Sequence, residues 1–470
     1  MRFRQVVLLW MLAIGSAFAG WGQPAQQAQA VKGPDERMKT DILVVVAHPD
    51  DEGGVTPYLA RAIYDQHKRV AVVFATRGGS GGNDLTREHG PALADIREQE
   101  ARQACAKLGI TNVWFLDGKD TASQNVLNSL ANWGHGANLE ALVRIVRLTR
   151  PEVMISWLPG VFIGENHGDH QASGALATEA FDLAGDAAVF PSQVMGATKR
   201  LEQYLENLTP WQPKKLYFFS DAEDQKQFDG AGPAFSVKEI SPSQKKPYWR
   251  LALDAATPHL TQFPNEIHQM TAMSDVQLDK FMEDPQHQWW TEPMTLIFGK
   301  ATVAGKLTDD PFANLNAVMT GGHEMEAHHP LACGDDWTVA LGGPWFYYNA
   351  FRKEHGLGHL KVAEVPEIAI KAGTSLPVPL VIGHGKGKAG EIAIDVQAPA
   401  GWKVTNGVGE FRLAQEDRTD SIVEIVTPEL GKEELKKVGT QEVVVRVAAE
   451  GNAIGEVKLR VALRGNALAQ

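Results

Sequence analysis

The sequence predicts an α/β domain built on a mostly parallel sheet, followed by a smaller β-sandwich. In the first half of the chain, short apolar runs alternate with stretches of helical periodicity, which is typical of a parallel sheet covered by helices on both faces. After residue 360, short strands separated by Gly, Pro and Asn turns replace the helical pattern. Regularly spaced short strands of this kind favour a sandwich.

Four strands and four helices are predicted in the core, residues 41–185. Residues 42–47 form a continuous apolar run, which indicates a strand buried on both faces. The other predicted strands cover 70–75, 113–116 and 153–157, and the predicted helices cover 56–67, 92–108, 139–148 and 171–183. Because such sheets gather their chemistry at the carboxyl ends of the strands, polar residues that follow a strand are the candidates for a site.

The N-terminal residues 1–30 have the pattern of a processing segment. Arg2 and Arg4 precede an apolar run at 6–14, and Ala17-Phe18-Ala19 supplies a small-x-small cleavage site. We therefore predict a signal peptide, a flexible mature N-terminus and an exported protein, periplasmic or extracellular. An uncleaved membrane anchor is the alternative. No other apolar run is long enough for a membrane span, so none is expected after cleavage.

The rest of the chain is divided near Gly358. Residues 38–358 are predicted to form the catalytic domain, in which 186–358 wall a cleft and contribute short strands at 216–219 and 294–298. Residues 360–470 are predicted to form the sandwich, with strands at 391–396 and 442–447.

Composition narrows the possible partners. The 470 residues carry a formal charge of −12 and no dense Lys/Arg run, which argues against a nucleic-acid partner. The two cysteines, Cys105 and Cys333, are too few for a disulfide-stapled scaffold, and whether they pair stays open. Oligomeric state is equally open.

The sharpest motif is His48-Pro49-Asp50-Asp51-Glu52, directly after the first strand. If Pro49 starts a helix, His48 and Asp51 lie three residues apart and face one point. Two of the three protein ligands of a catalytic zinc then come from one turn, and Asp50 between them is free to act on water. Taken alone, this cluster also fits a surface loop or a helix cap.

A second cluster, Asn166-His167-Gly168-Asp169-His170, follows the fourth strand. A parallel sheet brings the carboxyl ends of both strands to one edge, which favours a common site over two unrelated loops. Two histidines three residues apart can supply one metal ligand and one acid or oxyanion stabiliser.

With these motifs in place, the sequence resembles the PIG-L/LmbE-like deacetylase family, whose members hydrolyse N-acetylglucosaminyl compounds and related amides on a Rossmann-like fold. The resemblance covers residues 41–180 and includes a Gly-rich loop at 76–82 followed by an Arg-Glu helix. It implies that His48, Asp51 and His170 bind zinc. It also implies that Asp50 is the general base, that His167 stabilises the oxyanion or protonates the leaving amine, and that Asp169 tunes His167.

Two further residues are candidates for substrate binding. Arg97 suits a hydroxyl, phosphate or carboxylate, and a structural ion pair with a nearby Glu is equally compatible with it. His259, within His259-Leu260-Thr261-Gln262, resembles a short family element, and a buried structural His is the alternative. The turn at 398–404 resembles those of Ig-like accessory domains, which predicts an Ig-like identity for the sandwich.

The predicted function is zinc-dependent hydrolysis of an N-acyl group, N-acetyl in the leading version, on a glucosamine-type sugar; another divalent metal is compatible with the ligands. The alternatives are a hydrolase of a larger or differently linked amide and a glycan-binding protein with a vestigial metal site. A metalloprotease is rejected. In His323-Glu324-Met325-Glu326-Ala327-His328 the second His is five residues on, about 140° around a helix from the first.

Overall fold

The computed structural model describes residues 34–465, apart from 84, 162–166, 197–204, 223, 285–286, 288–289, 318–336, 362, 364, 384–389 and 414–417. The predicted signal segment, the His323–His328 stretch, Asn166 and Cys333 lie outside the described residues. In the part that is described, no helix is long and apolar enough to cross a membrane.

The N-terminal half alternates strands and helices, as predicted. Its elements are β1 (Ile42–Val46), α1 (Thr56–Tyr64), β2 (Val70–Thr76), α2 (Pro91–Lys107), β3 (Asn112–Gly118), α3 (Val126–Trp133), α4 (His135–Thr149), β4 (Val153–Trp157), α5 (Gly168–Leu183), α6 (Pro191–Val194) and β5 (Lys215–Phe219). The next segment adds β6 (Ala234–Phe235), α7 (Tyr248–Ala256), α8 (Pro264–Thr271), α9 (Asp275–Phe281), β7 (Met294–Thr295) and β8 (Ile297–Ala301).

One six-stranded sheet in the order β3-β2-β1-β4-β5-β8 organises this domain. The first five strands are parallel, and β8 pairs antiparallel with β5 at the edge. The chain leaves β1 toward β2 and β3 and later returns to β4 and β5 on the other side. The order therefore reverses between β1 and β4, and ligands of doubly wound sheets bind in the crevice at such a reversal.

Side chains of β1 enter two separate cores. Leu43 and Val45 pack in a cluster with residues of α4 and α5, whereas Ile42, Val44 and Val46 pack in a cluster with residues of α1 and α2. All five residues are fully buried, which explains the uninterrupted apolar run. Cys105 lies in the second cluster as a free buried thiol.

The C-terminal part is sheet-rich. Its elements are β9 (Thr338–Leu341), α10 (Gly343–Glu354), β10 (Glu367–Lys371), β11 (Ser375–Gly383), β12 (Gly390–Gln397), β13 (Lys403–Asn406), β14 (Gly409–Leu413), β15 (Arg418–Val426), α11 (Lys432–Leu435), β16 (Gln441–Ala449) and β17 (Asn452–Arg464). They form sheets in the orders β10-β17-β16-β12-β14 and β13-β15-β11-β9. Residues of both sheets share one apolar core, so this part is a sandwich of two sheets.

Several local features differ from the predicted elements, and among them helices α6 to α10 were not predicted. Helix α3 has no predicted counterpart, and the expected strand at 294–298 is divided between β7 and β8. Strand β9 lies ahead of the boundary predicted near Gly358, yet it pairs with β11 of the sandwich. Its neighbour is a strand about forty residues further along the chain, and local sequence pattern carries no information about such a pairing.

Candidate active site

The two predicted clusters meet at the reversal between β1 and β4. His48 follows β1, and a single 3₁₀ turn, Asp51–Gly54, begins after it. His167 caps α5, whose first turn carries Asp169 and His170. The turn begins at Asp51 and not at Pro49, but it still brings His48 and Asp51 to one point, because His48 Nδ1 lies 3.6 Å from Asp51 Oδ2.

Asp51 is the most firmly held carboxylate of the site. Its Oδ2 accepts hydrogen bonds from the backbone N–H groups of Ala47 (2.9 Å) and His48 (2.8 Å) and from Trp157 Nε1 (2.9 Å). Burial raises its pKa, but the charges of His170 and His48 outweigh that effect, and the net pKa lies well below the ordinary value. Asp51 is therefore ionised, and its Oδ1 lies 3.2 Å from His170 Nε2.

Three imidazole rings converge beside this carboxylate. The His48 ring centroid lies 4.8 Å from that of His167 and 5.3 Å from that of His170, and the ligand nitrogens of the three lie within 4.8 Å of one another. Burial lowers the pKa of His48, but Asp51, Asp120 and Asp169 together raise it well above its ordinary value. A cluster of imidazoles surrounded by carboxylates is the donor set that zinc prefers.

The distances also fit a metal. Two atoms bound tetrahedrally at ~2.0–2.1 Å lie about 3.3–3.4 Å apart, close to the 3.2 Å between Asp51 Oδ1 and His170 Nε2. Among the described residues, the buried Nδ1 of His167 has no hydrogen-bond partner. A second group, His48, Asp120 and Asp169, also has metal-ligand spacing. The predicted ligands His48, Asp51 and His170 are thus brought together, and which atoms bind a metal stays a prediction.

Asp50 has an unusual backbone conformation. Its φ of 119° lies in a region that residues with a side chain rarely adopt. Its N–H donates to Glu52 Oε2 (3.1 Å), and Gln262 Nε2 donates to the preceding Pro49 carbonyl (2.5 Å), so contacts on both sides hold the turn. Burial, followed by the charge of Asp51, raises the pKa of Asp50 to about 7, which suits a proton acceptor.

His167 and Asp169 both lie close to the cluster, but within the described residues they are not hydrogen-bonded to each other. Burial and then the positive charges of His48 and His170 lower the pKa of His167 to about 4, so the ring is neutral near pH 7. Fully buried Asp169 accepts from Thr121 N and Oγ1 and lies 3.2 Å from His48 Nε2. Its influence on His167 is electrostatic: its charge raises the pKa of that ring.

Arg97 lies in the wall of the site at 2% exposure. Its guanidinium donates to the carbonyls of Gly78 (2.8 Å) and Gly82 and to Thr261 Oγ1 (3.3 Å), and so it holds the Gly-rich loop. A Cβ on Gly81 would clash with Arg97 Nη1, so a side chain at this position would displace the guanidinium. These contacts give Arg97 a structural role, but its partners are carbonyls and a hydroxyl and not the nearby Glu of the predicted ion pair. Substrate contact stays a prediction.

His259 lies behind the Asp51–Gly54 turn. Its Nε2 is 2.7 Å from Glu52 Oε1, and both residues are almost completely buried. Burial lowers the pKa of His259, but Glu52 reverses the effect and raises it above the ordinary value. The geometry again favours a structural role, since His259 supports the carboxylate that binds the Asp50 amide.

Two residues contact the predicted metal ligands in a way that the sequence did not predict. Trp157 donates to Asp51 and stacks on His170, with ring centroids 4.1 Å apart and planes inclined by 2°. Asp120 Oδ1 lies 3.3 Å from His48 Nε2. Both residues stand at the carboxyl ends of strands, Trp157 as the last residue of β4 and Asp120 just after β3. That position in the sequence could have identified them as candidates for the site.

Comparison with known proteins supports the family resemblance. Residues 43–181 match the family model described as PIG-L: GlcNAc-PI de-N-acetylase. The 1D-myo-inositol 2-acetamido-2-deoxy-alpha-D-glucopyranoside deacetylase 1 of Frankia alni is 33% identical over 188 residues, which cover 36% of this chain and 59% of that relative. A deacetylase of the same description from Thermobifida fusca is 25% identical over 256 residues, 47% of this chain and 82% of the relative.

A similar solved structure is the N,N'-diacetylchitobiose deacetylase from Pyrococcus horikoshii. It shares 19% identity with this chain at a TM-score of 0.37 and covers 55% of this chain and 84% of its own. The chain spans little more than half the length of the two Frankia relatives, 59% and 57%. The family model and the sequence relatives support the PIG-L/LmbE family for residues 43–181.

Proposed function

We propose that this chain is a metal-dependent deacetylase that hydrolyses an N-acetyl amide on a glucosamine-type sugar. The convergence of His48, Asp51 and His170 beside Asp50 carries the proposal. The match of residues 43–181 to a de-N-acetylase family supports the same reaction class. The relatives named above act on an acetamido sugar, which supports this substrate class.

We infer zinc as the metal, held by His48, Asp51 and His170. Two imidazoles and one carboxylate are a ligand set of catalytic zinc sites. Zinc, when bound, polarises the amide carbonyl and lowers the pKa of water. The hydrogen bonds from Ala47, His48 and Trp157 to Asp51 Oδ2 fix the orientation of that carboxylate and leave Oδ1 directed at His170.

The residues of the chain handle the proton and the developing charge. Asp50 accepts a proton from the attacking water as the oxygen bonds to the amide carbon. The neutral ring of His167 donates a hydrogen bond to the carbonyl oxygen as negative charge develops there. When the C–N bond breaks, the proton on Asp50 is transferred to the leaving nitrogen, which yields a free amine and a carboxylic acid that releases its own proton to solvent.

The test is acetate release from a panel of N-acetylglucosaminides by the zinc-loaded protein. Asp50→Asn keeps the shape of the side chain and removes the base, so the rate is expected to fall by ~10²–10⁴. Asp117→Asn is the matched control, because Asp117 is an exposed carboxylate at the end of β3. An Asp50→Asn variant as active as the wild type would falsify this mechanism.

The panel also separates the alternatives. Release of a larger acyl group with no release of acetate would support a hydrolase of a different amide. Sugar binding with no amine product, unchanged in Asp50→Asn, would indicate a glycan-binding protein. Either result replaces the proposed function.

We further propose that the protein is exported. We also propose that the sandwich is an Ig-like accessory domain. The charged start, the apolar run and the cleavage site within residues 1–30 support export. Two sheets with a shared core are compatible with an Ig-like domain. N-terminal sequencing of the protein recovered from the periplasm or medium tests export, and an intact Met1 in the cytoplasm would contradict it.

A further inference from the structure

The β3–α3 loop, residues 119–125, contacts both halves of the candidate site. Asp120 Oδ1 lies 3.3 Å from His48 Nε2. Thr121 binds both oxygens of Asp169, through its N–H at 2.9 Å and its Oγ1 at 2.8 Å. Of these two adjacent loop residues, Asp120 supplies one carboxylate beside His48 and Thr121 orients the other, that of Asp169.

The same loop contacts the first turn of α5. Gly168 N donates to the Ser123 carbonyl at 2.7 Å. A Cβ on Gly168 would lie 2.8 Å from that oxygen, so the loop approaches too closely for a side chain at this position. Because Gly168 lies between His167 and Asp169, a displacement of the loop is transmitted to both.

The outer side of the loop contacts the sandwich through Gln124. Its Nε2 donates to the Ala369 carbonyl at 2.5 Å, and its Oε1 accepts from the Ala369 N–H at 3.1 Å. Ala369 lies in β10, the edge strand of its sheet, whose other side pairs with β17. The side-chain amide thus forms the two hydrogen bonds that a further strand would form at this edge.

We propose that Gln124 is a positioning residue through which the sandwich holds the β3–α3 loop in its active geometry. This inference rests on the proposed function and assigns the accessory domain a part in it. Gln124 is three residues from Thr121 and four from Asp120. Its two hydrogen bonds to Ala369 therefore restrain the loop close to the residues that orient Asp169 and approach His48. A loop with its outer side released explores more conformations, and partners of metal ligands lose their alignment.

The test compares Gln124→Met with the wild-type full chain. Methionine keeps the length of the side chain and removes both hydrogen bonds to Ala369. We expect kcat on the best N-acetylglucosaminide to fall by about 10-fold to 100-fold, with KM nearly unchanged. Zinc affinity, measured by competition with a chelator, is expected to fall by a similar factor. Hydrogen exchange at the Thr121 amide is expected to become faster.

Three further variants make the result specific. Gln124→Glu retains the acceptor for the Ala369 N–H and loses the donor, so an intermediate effect is expected. Ala369→Pro removes the N–H from the opposite side, and proline is tolerated on an outward-facing edge. Gln397→Met is the matched control: Gln397 accepts from Arg446 Nη2 at 2.9 Å within the sandwich, so loop exchange and zinc affinity stay at wild-type values.

Loop exchange and zinc affinity do not depend on turnover. If the wild type releases no amine, the proposed function fails, while these two measurements still test the role of Gln124. A Gln124→Met protein with a lowered melting temperature but wild-type loop exchange and zinc affinity would show a merely structural contact and overturn the inference. If Gln124→Met does not fold, loop exchange and zinc affinity are measured on Gln124→Glu and Ala369→Pro, and wild-type values for both variants would overturn the inference.

Discussion

The α/β domain and the sandwich bury their strands in different ways. Every residue of β1 and β2 is buried, because helices cover both faces of the parallel sheet. In β11, Leu376 and Val378 are buried while Ser375 and Pro377 are exposed, because one face of the strand meets solvent. A strand covered on both faces leaves only its ends for polar residues, and parallel strands present their carboxyl ends at one edge.

This difference in strand burial explains why the candidate site lies in the α/β domain and not in the sandwich. At the edge of the parallel sheet, carboxylates such as Asp51 and Asp169 are buried among imidazoles, and their pKa values are shifted. In strand β12 of the sandwich, by contrast, Glu391 and Asp395 are exposed to water. Within the described chain, both groups with metal-ligand spacing belong to the α/β domain.

The largest effect is expected when Asp51 of the candidate site is replaced, and a replacement of Asp395 in the sandwich serves for comparison. Asp51→Ala removes a proposed metal ligand and leaves the N–H groups of Ala47, His48 and Trp157 without their acceptor. Amide hydrolysis is expected to fall by at least ~100-fold, and the metal-free protein to lose about 3 kcal/mol of unfolding free energy. Asp395→Ala in the sandwich is the control, with a change within about 0.5 kcal/mol. Guanidinium unfolding measures the stability of both variants, and amine release measures their rate of hydrolysis. Equal losses for Asp51→Ala and Asp395→Ala would contradict the difference between the two domains.

The second prediction uses the burial periodicity. Val44→Asn and Val45→Asn place an amide in one or the other core of the α/β domain, so each is expected to cost about 2–4 kcal/mol. In β12, Ile394→Asn is expected to cost as much, whereas Ala393→Asn, which faces solvent, changes stability by about 0.5 kcal/mol or less. Urea unfolding measures all four, and a mild effect at either position of β1 would contradict the two-sided burial.

A smaller effect is expected at Trp157. Trp157→Phe retains an aromatic ring against His170 and removes the donor to Asp51 Oδ2. The expected cost is about 1 kcal/mol of stability and roughly 10-fold in zinc affinity. Chelator competition measures the second effect. Trp402→Phe in the sandwich is the control, and no change in affinity for Trp157→Phe would mean that Asp51 needs no support from the indole.

The smallest prediction concerns pH. The hydrogen bond from His135 to Glu179 outweighs burial and raises the pKa of His135 above its ordinary value. Its contribution to stability, at most about 1 kcal/mol for a partly exposed pair, is fully present below the unfolded pKa of ~6.5. It is lost as pH rises through the higher folded pKa. Glu179→Gln is expected to lower the pKa of His135 in an NMR titration and to flatten stability between pH 6 and 8; an unmoved titration curve contradicts the pairing.

Local pattern predicted these strands well because each is almost entirely apolar. The runs at 42–47, 70–75 and 153–157 coincide with β1, β2 and β4 to within one residue. Helix α3 was missed because its eight residues are too short for a clear period, although Asn125 caps it by accepting from Leu127 N. Arg97 and His259 were predicted in the site region, but the sequence left their roles open between substrate contact and support.

The amino-acid sequence by itself determined the parallel domain, the sandwich after it and the two motifs that follow β1 and β4, since periodicity and strand-end position are local properties. Tertiary structure alone decided which partners complete the site. Trp157 meets Asp51 across 106 residues, His259 meets Glu52 across 207, and Gln124 meets Ala369 across 245. The physical reason is that such contacts depend on how whole elements pack, and the residues that form them follow no periodic pattern along the chain.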